Sequence, residues 1–425
     1  MLQGNIDPDT TGRRWTSPRE RCRAERMGLD FLRKMDWLGA ARCGAYLRIL
    51  ALLNVAMLAW LVASSHGGVD RNGFLLGSDF ISFWTVGHML RAGADVYDGA
   101  AHIAAQRAFF ASEGGYTAFF YPPSFLPFCW PLGALGYFPA LTAWLVTTGA
   151  VYVASVRAWW HRFLVPVPLW LLLLAFPAVP IVMTHGQTAF LVAGLLGAGL
   201  WLVPTRPVLA GVLLGLATIK PQFGLLLPIV LLLTGQWRTI LAAVLTAGLL
   251  AAASAPLFGG EVWSGWLSAS ARAEEAMAAG AVGYAKMMSP FAALKLLGAA
   301  TSVAYAVQAV VALVIAGLLA RAAWRRGWSE GLAALALAGA PLVTPFVLDY
   351  DMVLLAFPLL WLVGQGLRRG FAGWEKLAIL LAFAAPAFAR PLAMNLALPV
   401  MPLVLGLLFA VLWRRVSRPA SPVST

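Results

Sequence analysis

From about residue 45 onward the chain is a succession of long apolar runs separated by short polar breaks. The runs fall near 45–65, 138–156, 163–183, 188–204, 207–219, 221–235, 239–257, 300–322, 331–347, 351–366, 374–389 and 396–413. A backbone in hydrocarbon must bond all its polar groups internally, so these runs are predicted to be membrane-crossing helices. The pair at 207–235 is short and is divided at Ile219-Lys220-Pro221. Residues 121–137 hold four prolines (Pro122, Pro123, Pro127, Pro131) and read as a re-entrant or interfacial piece. Two longer stretches, from His66 to about Phe120 and from about Phe258 to Met288, are too polar to span and are predicted as loops on one face. Within the first, 80–92 and 100–110 carry apolar residues at helical spacing and are expected to lie along the surface as amphipathic helices. The expected architecture is all-α, a polytopic bundle of about 10–12 transmembrane helices. A basic tail is expected over residues 1–44, a membrane domain over 45–413 and a short tail over 414–425.

Composition sharpens this picture. Hydrophobic residues make up 60% of the chain and charged ones 12%, where a soluble domain is nearer half and a quarter. The net charge of +13 suggests nucleic acid until its distribution is read: ten of the 31 Lys and Arg lie in the first 48 residues, and most others sit in short loops. With the N-terminus inside and the spans alternating, 23 basic residues fall inside and eight outside: Arg71, Arg91, Arg107, Lys220, Arg272, Lys286, Lys295 and Arg390. Basic residues concentrate on the cytoplasmic side of membrane proteins. Both ends are therefore expected in the cytoplasm, and the long loops on the extracytoplasmic face of the cell (inner) membrane. Nucleic acid is not an expected partner; the bilayer is. The first 44 residues are charged throughout, with no apolar stretch of the signal-peptide kind, and are expected to be partly disordered. Cys22, Cys43 and Cys129 have no metal-site spacing, the five His are scattered, and no metal or other cofactor is expected.

The candidate chemistry lies on the outer face. Asp79 follows Gly77-Ser78 and precedes Phe80-Ile81-Ser82-Phe83-Trp84. It suits the N-cap of a helix starting near Phe80, or a general base facing a cavity. Lys220 stands between two short apolar halves, where a lysine at membrane depth costs roughly 2.5–3.5 kcal/mol and needs a partner, a watery cavity or an anionic phosphate. His185 and Gln187 end the third run on the same side. Asp349 and Asp351 follow Pro341 and Pro345, which free backbone groups to line a cavity. Two carboxylates at this spacing do not share a helix face, so one is expected to point into a site and the other to cap or face solvent. A lipid-linked-sugar transporter or flippase is the rival reading, though no two halves show the internal similarity common in transporters. A non-catalytic scaffold leaves Lys220 unexplained.

Several stretches together resemble glycosyltransferase family 87, polytopic enzymes of the GT-C class that use polyprenyl-phosphate sugars. They are Gly77-Ser78-Asp79-Phe80-Ile81-Ser82-Phe83-Trp84 with Gly93 and Val96-Tyr97-Asp98, then Tyr121-Pro122-Pro123 with Pro131-Leu132. Gly186-Gln187, Ala210-Gly211-Val212 to Gly215-Leu216-Ala217, Lys220-Pro221 and Asp349-Tyr350-Asp351 follow in order. Lys286-Met287-Met288-Ser289-Pro290 departs from the Asn-Gln-Ser-like stretch of many relatives. The resemblance implies inverting transfer of a hexose, mannose favoured, from a polyprenyl-phosphate donor to a lipid or glycan acceptor. It implies Asp79 as the base and Lys220 as the phosphate-binding charge, with His185, Gln187 and Asp349 or Asp351 positioning phosphate or sugar. Phe83, Trp84, Tyr97 and Tyr121 are read as sugar or lipid-tail contacts, or as interfacial anchors.

Overall fold

The computed structural model describes residues 29–111, 116–280 and 283–417. Most of the expected N-terminal tail, Cys22 and the last eight residues lie outside the described residues. Within them the chain is helical, with isolated bridges and no strand. Six helical stretches are long and apolar enough to cross a membrane singly: α1 (Ala40–Ala63), α4 (Tyr137–Phe163), α10 (Trp237–Phe258), α13 (Thr301–Arg326), α16 (Glu375–Leu396), and α15 (Ala356–Arg369) with the 3-10 turn Asp349–Leu355 before it.

The other predicted spans are shorter, for a physical reason. α7 (Ala189–Leu202) has 14 residues, about 21 Å at 1.5 Å each, well under the ~30 Å hydrocarbon core. Eleven of those residues are buried, as are 13 of the 14 in α14 (Glu330–Val343). Neighbouring protein rather than lipid covers their ends, so bilayer thickness does not set their length. The third predicted span is broken into α5 (Leu169–Ala175) and α6 (Ala178–His185), which meet at Phe176-Pro177. The pair divided at Lys220 is α8 (Pro207–Leu216) and α9 (Leu227–Leu233) with 3-10 turns between. The last is α17 (Met401–Ser417). By contrast, α1 buries only Ala51 and is held mainly through α5, where Asn54 donates to the Leu174 carbonyl at 2.8 Å.

The two ends of the described chain share a face. Trp374 N–H donates to the Arg33 carbonyl at 2.8 Å, Arg326 to the Ser417 carbonyl at 2.6 Å, and Arg162 pairs with Glu330 at 2.7 Å. Arg415 pairs with Glu375 and donates to the carbonyls of Gln365 and Gly370. The long loops gather at the opposite face.

One expectation for the first loop is corrected. α2 (Phe80–Arg91) does not lie along the surface: nine of its 12 residues are buried, because a segment apolar on all sides is driven inside. α2 packs against the short helical turns between Pro123 and Ala134 so closely that a side chain on Gly87 or Gly133 would collide with the opposite backbone. α3 (Gly99–Phe109), capped by Asp98, buries its polar residues His102 and Gln106. Gln106 fastens both backbone groups of Thr117, at 2.7 and 3.0 Å. The second loop contains a helix not expected from the sequence, α11 (Val262–Ala278), and another, α12 (Pro290–Leu296), follows it.

Candidate active site

The loop carrying Asp79 is fixed from three directions. The Tyr137 hydroxyl is 2.9 and 2.8 Å from the carbonyls of Leu76 and Gly77. The N–H groups of Gly77 and Asp79 donate to the carbonyls of Thr184 and His185, both at 3.0 Å. Trp144 holds the Gly186 carbonyl at 3.0 Å. Gly186 ends α6 in the left-handed region (φ +67°), and a Cβ there would stand 2.6 Å from the Phe80 Cβ. A glycine is needed on both counts.

Asp79 does not cap α2. Its backbone is already helical and its side chain makes no cap bond; the Ile81 N–H reaches back to the Gly77 carbonyl at 3.2 Å. An N-cap residue needs an extended backbone to turn its oxygen onto the first-turn amides. The carboxylate instead accepts from Gln187 Nε2 through Oδ2 at 2.9 Å.

Asp79 lines a cavity of about 580 Å³, a size typical of small-molecule sites. The charged lining is Asp70 and Asp79 opposed by Arg107, Lys286 and Arg390, with His185 beside them; Met57, Trp60 and Leu61 of α1 form an apolar wall. Asp70 is spent on its own turn, accepting from the N–H groups of Asn72 and Phe74 at 2.8 and 2.9 Å. His185 Nδ1 lies 2.8 Å from the Ile181 carbonyl, so Nδ1 carries the proton and Nε2 is the acceptor of the neutral ring. Arg390 is 3.4 Å from Asp349 Oδ2.

The other residues singled out from the sequence stand behind this wall. Lys220 Nζ meets Asp351 Oδ1 at 2.9 Å, each side chain only 5% exposed, and Lys220 does not line the cavity. The rings of Tyr350, Phe223 and Tyr121 surround the ammonium at 5.0, 5.9 and 6.0 Å. Asp351 also accepts from the Leu348 N–H at 3.1 Å. Neither late carboxylate faces solvent: Asp349 and Asp351 are both buried, each with a cationic partner that satisfies it, and Asp351 takes the capping alternative by accepting the N–H at the start of the 3-10 turn. The Tyr121 hydroxyl donates to Gln187 Oε1 at 2.9 Å. Tyr97 is buried; its hydroxyl donates to the Tyr121 carbonyl at 2.8 Å, and burial pushes its pKa up. Phe83 is a core residue, and Trp84 donates to the Leu135 carbonyl at 2.9 Å.

From the sequence Arg107 and Arg390 stand out only as outer charges, and Lys286 also as the start of the stretch that departs from the family pattern. The signal for Arg390 was present in Ala389-Arg390-Pro391, an arginine inside an apolar stretch. The apolar run ends at 389, whereas α16 continues through Pro391 to Leu396. Lys286 is brought in by a strap: Met287 bridges Leu348, the Met288 N–H donates to the Val347 carbonyl at 2.9 Å, and the Ser289 hydroxyl donates to the Pro345 carbonyl at 2.6 Å.

The family model for glycosyltransferase family 87 matches residues 119–345, a span that contains Tyr121, His185, Gln187, Lys220 and Lys286. No curated protein and no solved structure matches the chain.

Proposed function

The chain belongs to glycosyltransferase family 87 and is a membrane glycosyltransferase, and we propose that it moves a hexose, mannose favoured, from a polyprenyl-phosphate donor to a lipid or glycan acceptor. In this reading the acceptor hydroxyl attacks the sugar's anomeric carbon as the carbon–oxygen bond to phosphate breaks. The polyprenyl phosphate leaves with the bonding electron pair, the acceptor's proton passes to the Asp79 carboxylate, and the configuration inverts. A single base suffices, because no glycosyl-enzyme intermediate is formed.

The observation that carries this reading is one carboxylate, Asp79, sharing a cavity with three basic side chains. A base near the hydroxyl and positive charge near the departing phosphate are what the reaction requires. Arg390, oriented by Asp349, and Lys286 are assigned to the phosphate. His185 Nε2 is assigned to a sugar hydroxyl. Lys220, Gln187 and Tyr121 support the site from behind. The excess of basic residues on the face bearing both chain ends supports cytoplasmic termini and an extracytoplasmic cavity. The apolar wall of α1 suits a donor that arrives dissolved in the bilayer.

The test is transfer by purified protein in liposomes with polyprenyl-phosphate hexoses. Asp79→Asn is expected to reduce the rate by about 10²–10⁴-fold while donor binding persists. Near-normal transfer by that variant removes Asp79 from the chemistry.

A further inference from the structure

We propose that Gln187 is a positioning residue for the reaction, which locks Asp79 so that its Oδ1 is the oxygen that receives the acceptor's proton. The proposal rests on the reading of Asp79 as the base.

The amide of Gln187 can point only one way. Its Oε1 lies 2.9 Å from the Thr188 backbone N–H and 2.9 Å from the Tyr121 hydroxyl. The first is an obligatory donor, so the atom facing it must be an acceptor. The other end of the amide is then Nε2, and it donates to Asp79 Oδ2 at 2.9 Å. A flipped amide would set NH₂ against the Thr188 N–H and an oxygen against a carboxylate, losing bonds at both ends. Gln187 is 5% exposed and does not line the cavity. It therefore acts through Asp79 and does not touch substrate.

Two consequences follow for the carboxylate. Oδ2 is occupied, while Oδ1 has only the Ser78 hydroxyl at 3.5 Å, a separation too long for a strong hydrogen bond. Oδ1 is thus the oxygen left for an acceptor hydroxyl. The N–H bond to Oδ2, at 2.9 Å, also restrains rotation of the carboxylate, so its two oxygens keep distinct places. Tyr121 is set in turn by its neighbours: its ring lies 6.0 Å from the Lys220 ammonium, which Asp351 holds. A chain of interactions thus runs from the buried ion pair through Tyr121 and Gln187 to Oδ2 of the Asp79 carboxylate.

The experiment compares pH–rate profiles of the full-length protein in liposomes. The donors are polyprenyl-phosphate mannose, glucose and galactose, the acceptors a total membrane lipid extract, and the best wild-type donor is carried forward. Gln187→Glu keeps an acceptor for Tyr121 and Thr188 but sets a second carboxyl against Asp79, so the two must share a proton. The acid limb of kcat/KM is expected to move up by about one pH unit or more, with activity regained at high pH. The other titratable and charged groups around Asp79 (Asp70, Arg107, Tyr121, Tyr137, His185, Lys286, Tyr350, Asp351 and Arg390) are unchanged in Gln187→Glu, so the shift traces to position 187. Tyr121→Phe keeps the ring and removes one of the donors to Oε1, loosening an amide that the Thr188 N–H and Asp79 still orient. It is expected to lower kcat about three- to tenfold at unchanged donor KM, the size of one lost hydrogen bond. A wild-type profile for Gln187→Glu alongside an inactive Asp79→Asn overturns the positioning role and leaves the base intact. Full activity of Asp79→Asn, or no wild-type transfer with any donor, overturns the base and this proposal with it.

Discussion

The ion pair between Lys220 and Asp351 makes the sharpest prediction, because geometry and family resemblance assign the lysine different work. At 2.9 Å with both side chains 5% exposed, the attraction is about 6 kcal/mol at an effective dielectric of ~20. Removing one partner of such a pair typically costs about 3–5 kcal/mol, since the remaining charge stays buried. In Lys220→Met, Asp351 would keep only the Leu348 N–H, 3.1 Å away. One such bond offsets part of the loss, so a destabilisation of about 3 kcal/mol is expected. Asp351→Asn on the same background removes the stranded charge and keeps an acceptor for Leu348. The double variant is expected to recover to within about 1–2 kcal/mol of wild type. Unfolding of the purified protein in detergent, followed by tryptophan fluorescence, ranks the three. A wild-type unfolding midpoint for Lys220→Met, together with a tenfold rise in donor KM, would refute the structural role and return the ammonium to the donor phosphate.

Other outcomes are specific to single residues. Arg390→Gln should raise the donor KM about tenfold or more, with Arg390→Lys recovering part of it; donor saturation curves decide. Gly186→Ala must take a left-handed backbone and place its Cβ 2.6 Å from Phe80, a combined cost of about 2–4 kcal/mol, read as a lower thermal midpoint with loss of transfer. Burial lowers the His102 pKa to about 4 from 6.5. Between those values the unfolded chain binds the extra proton, so stability is full above about pH 6.5 and falls as the medium is acidified. The loss is about 2 kcal/mol at pH 5 and about 3 below pH 4. The midpoint's fall from pH 7.5 to 5 should therefore be smaller in His102→Gln.

Much of the bundle was legible because hydrophobic length is a direct report of the solvent. The limits of α1, α4, α10 and α13 lie within several residues of the apolar runs. The rule weakened where protein replaced lipid. α7 and α14 are short because their neighbours cover them, and α2 went inside although it belongs to a loop. For the site, sequence placed Asp79, His185, Gln187, Lys220, Asp349 and Asp351 on one face, and the structure gathers them around one cavity and its back wall. It could not divide wall from backing. Lys220 and Arg390 are both cations in apolar surroundings, and nothing local says that Asp351 takes the first inward while Asp349 leaves the second at the cavity. That choice depends on the 3-10 turn at Asp349–Leu355, whose tight winding sends two carboxylates to different partners.

The cavity draws on residues from Met57 to Arg390, while the recognisable family core runs only from 119 to 345. Asp79, Arg107 and Arg390 are all contributed by the flanks. That frame supplies His185 and Lys286 to the cavity, while the proposed base and Arg390 lie outside it. Two chains alike across that frame can diverge in the sugars and acceptors they use through changes at either flank. An excised 119–345 fragment would carry the family's signature and lack its proposed proton acceptor.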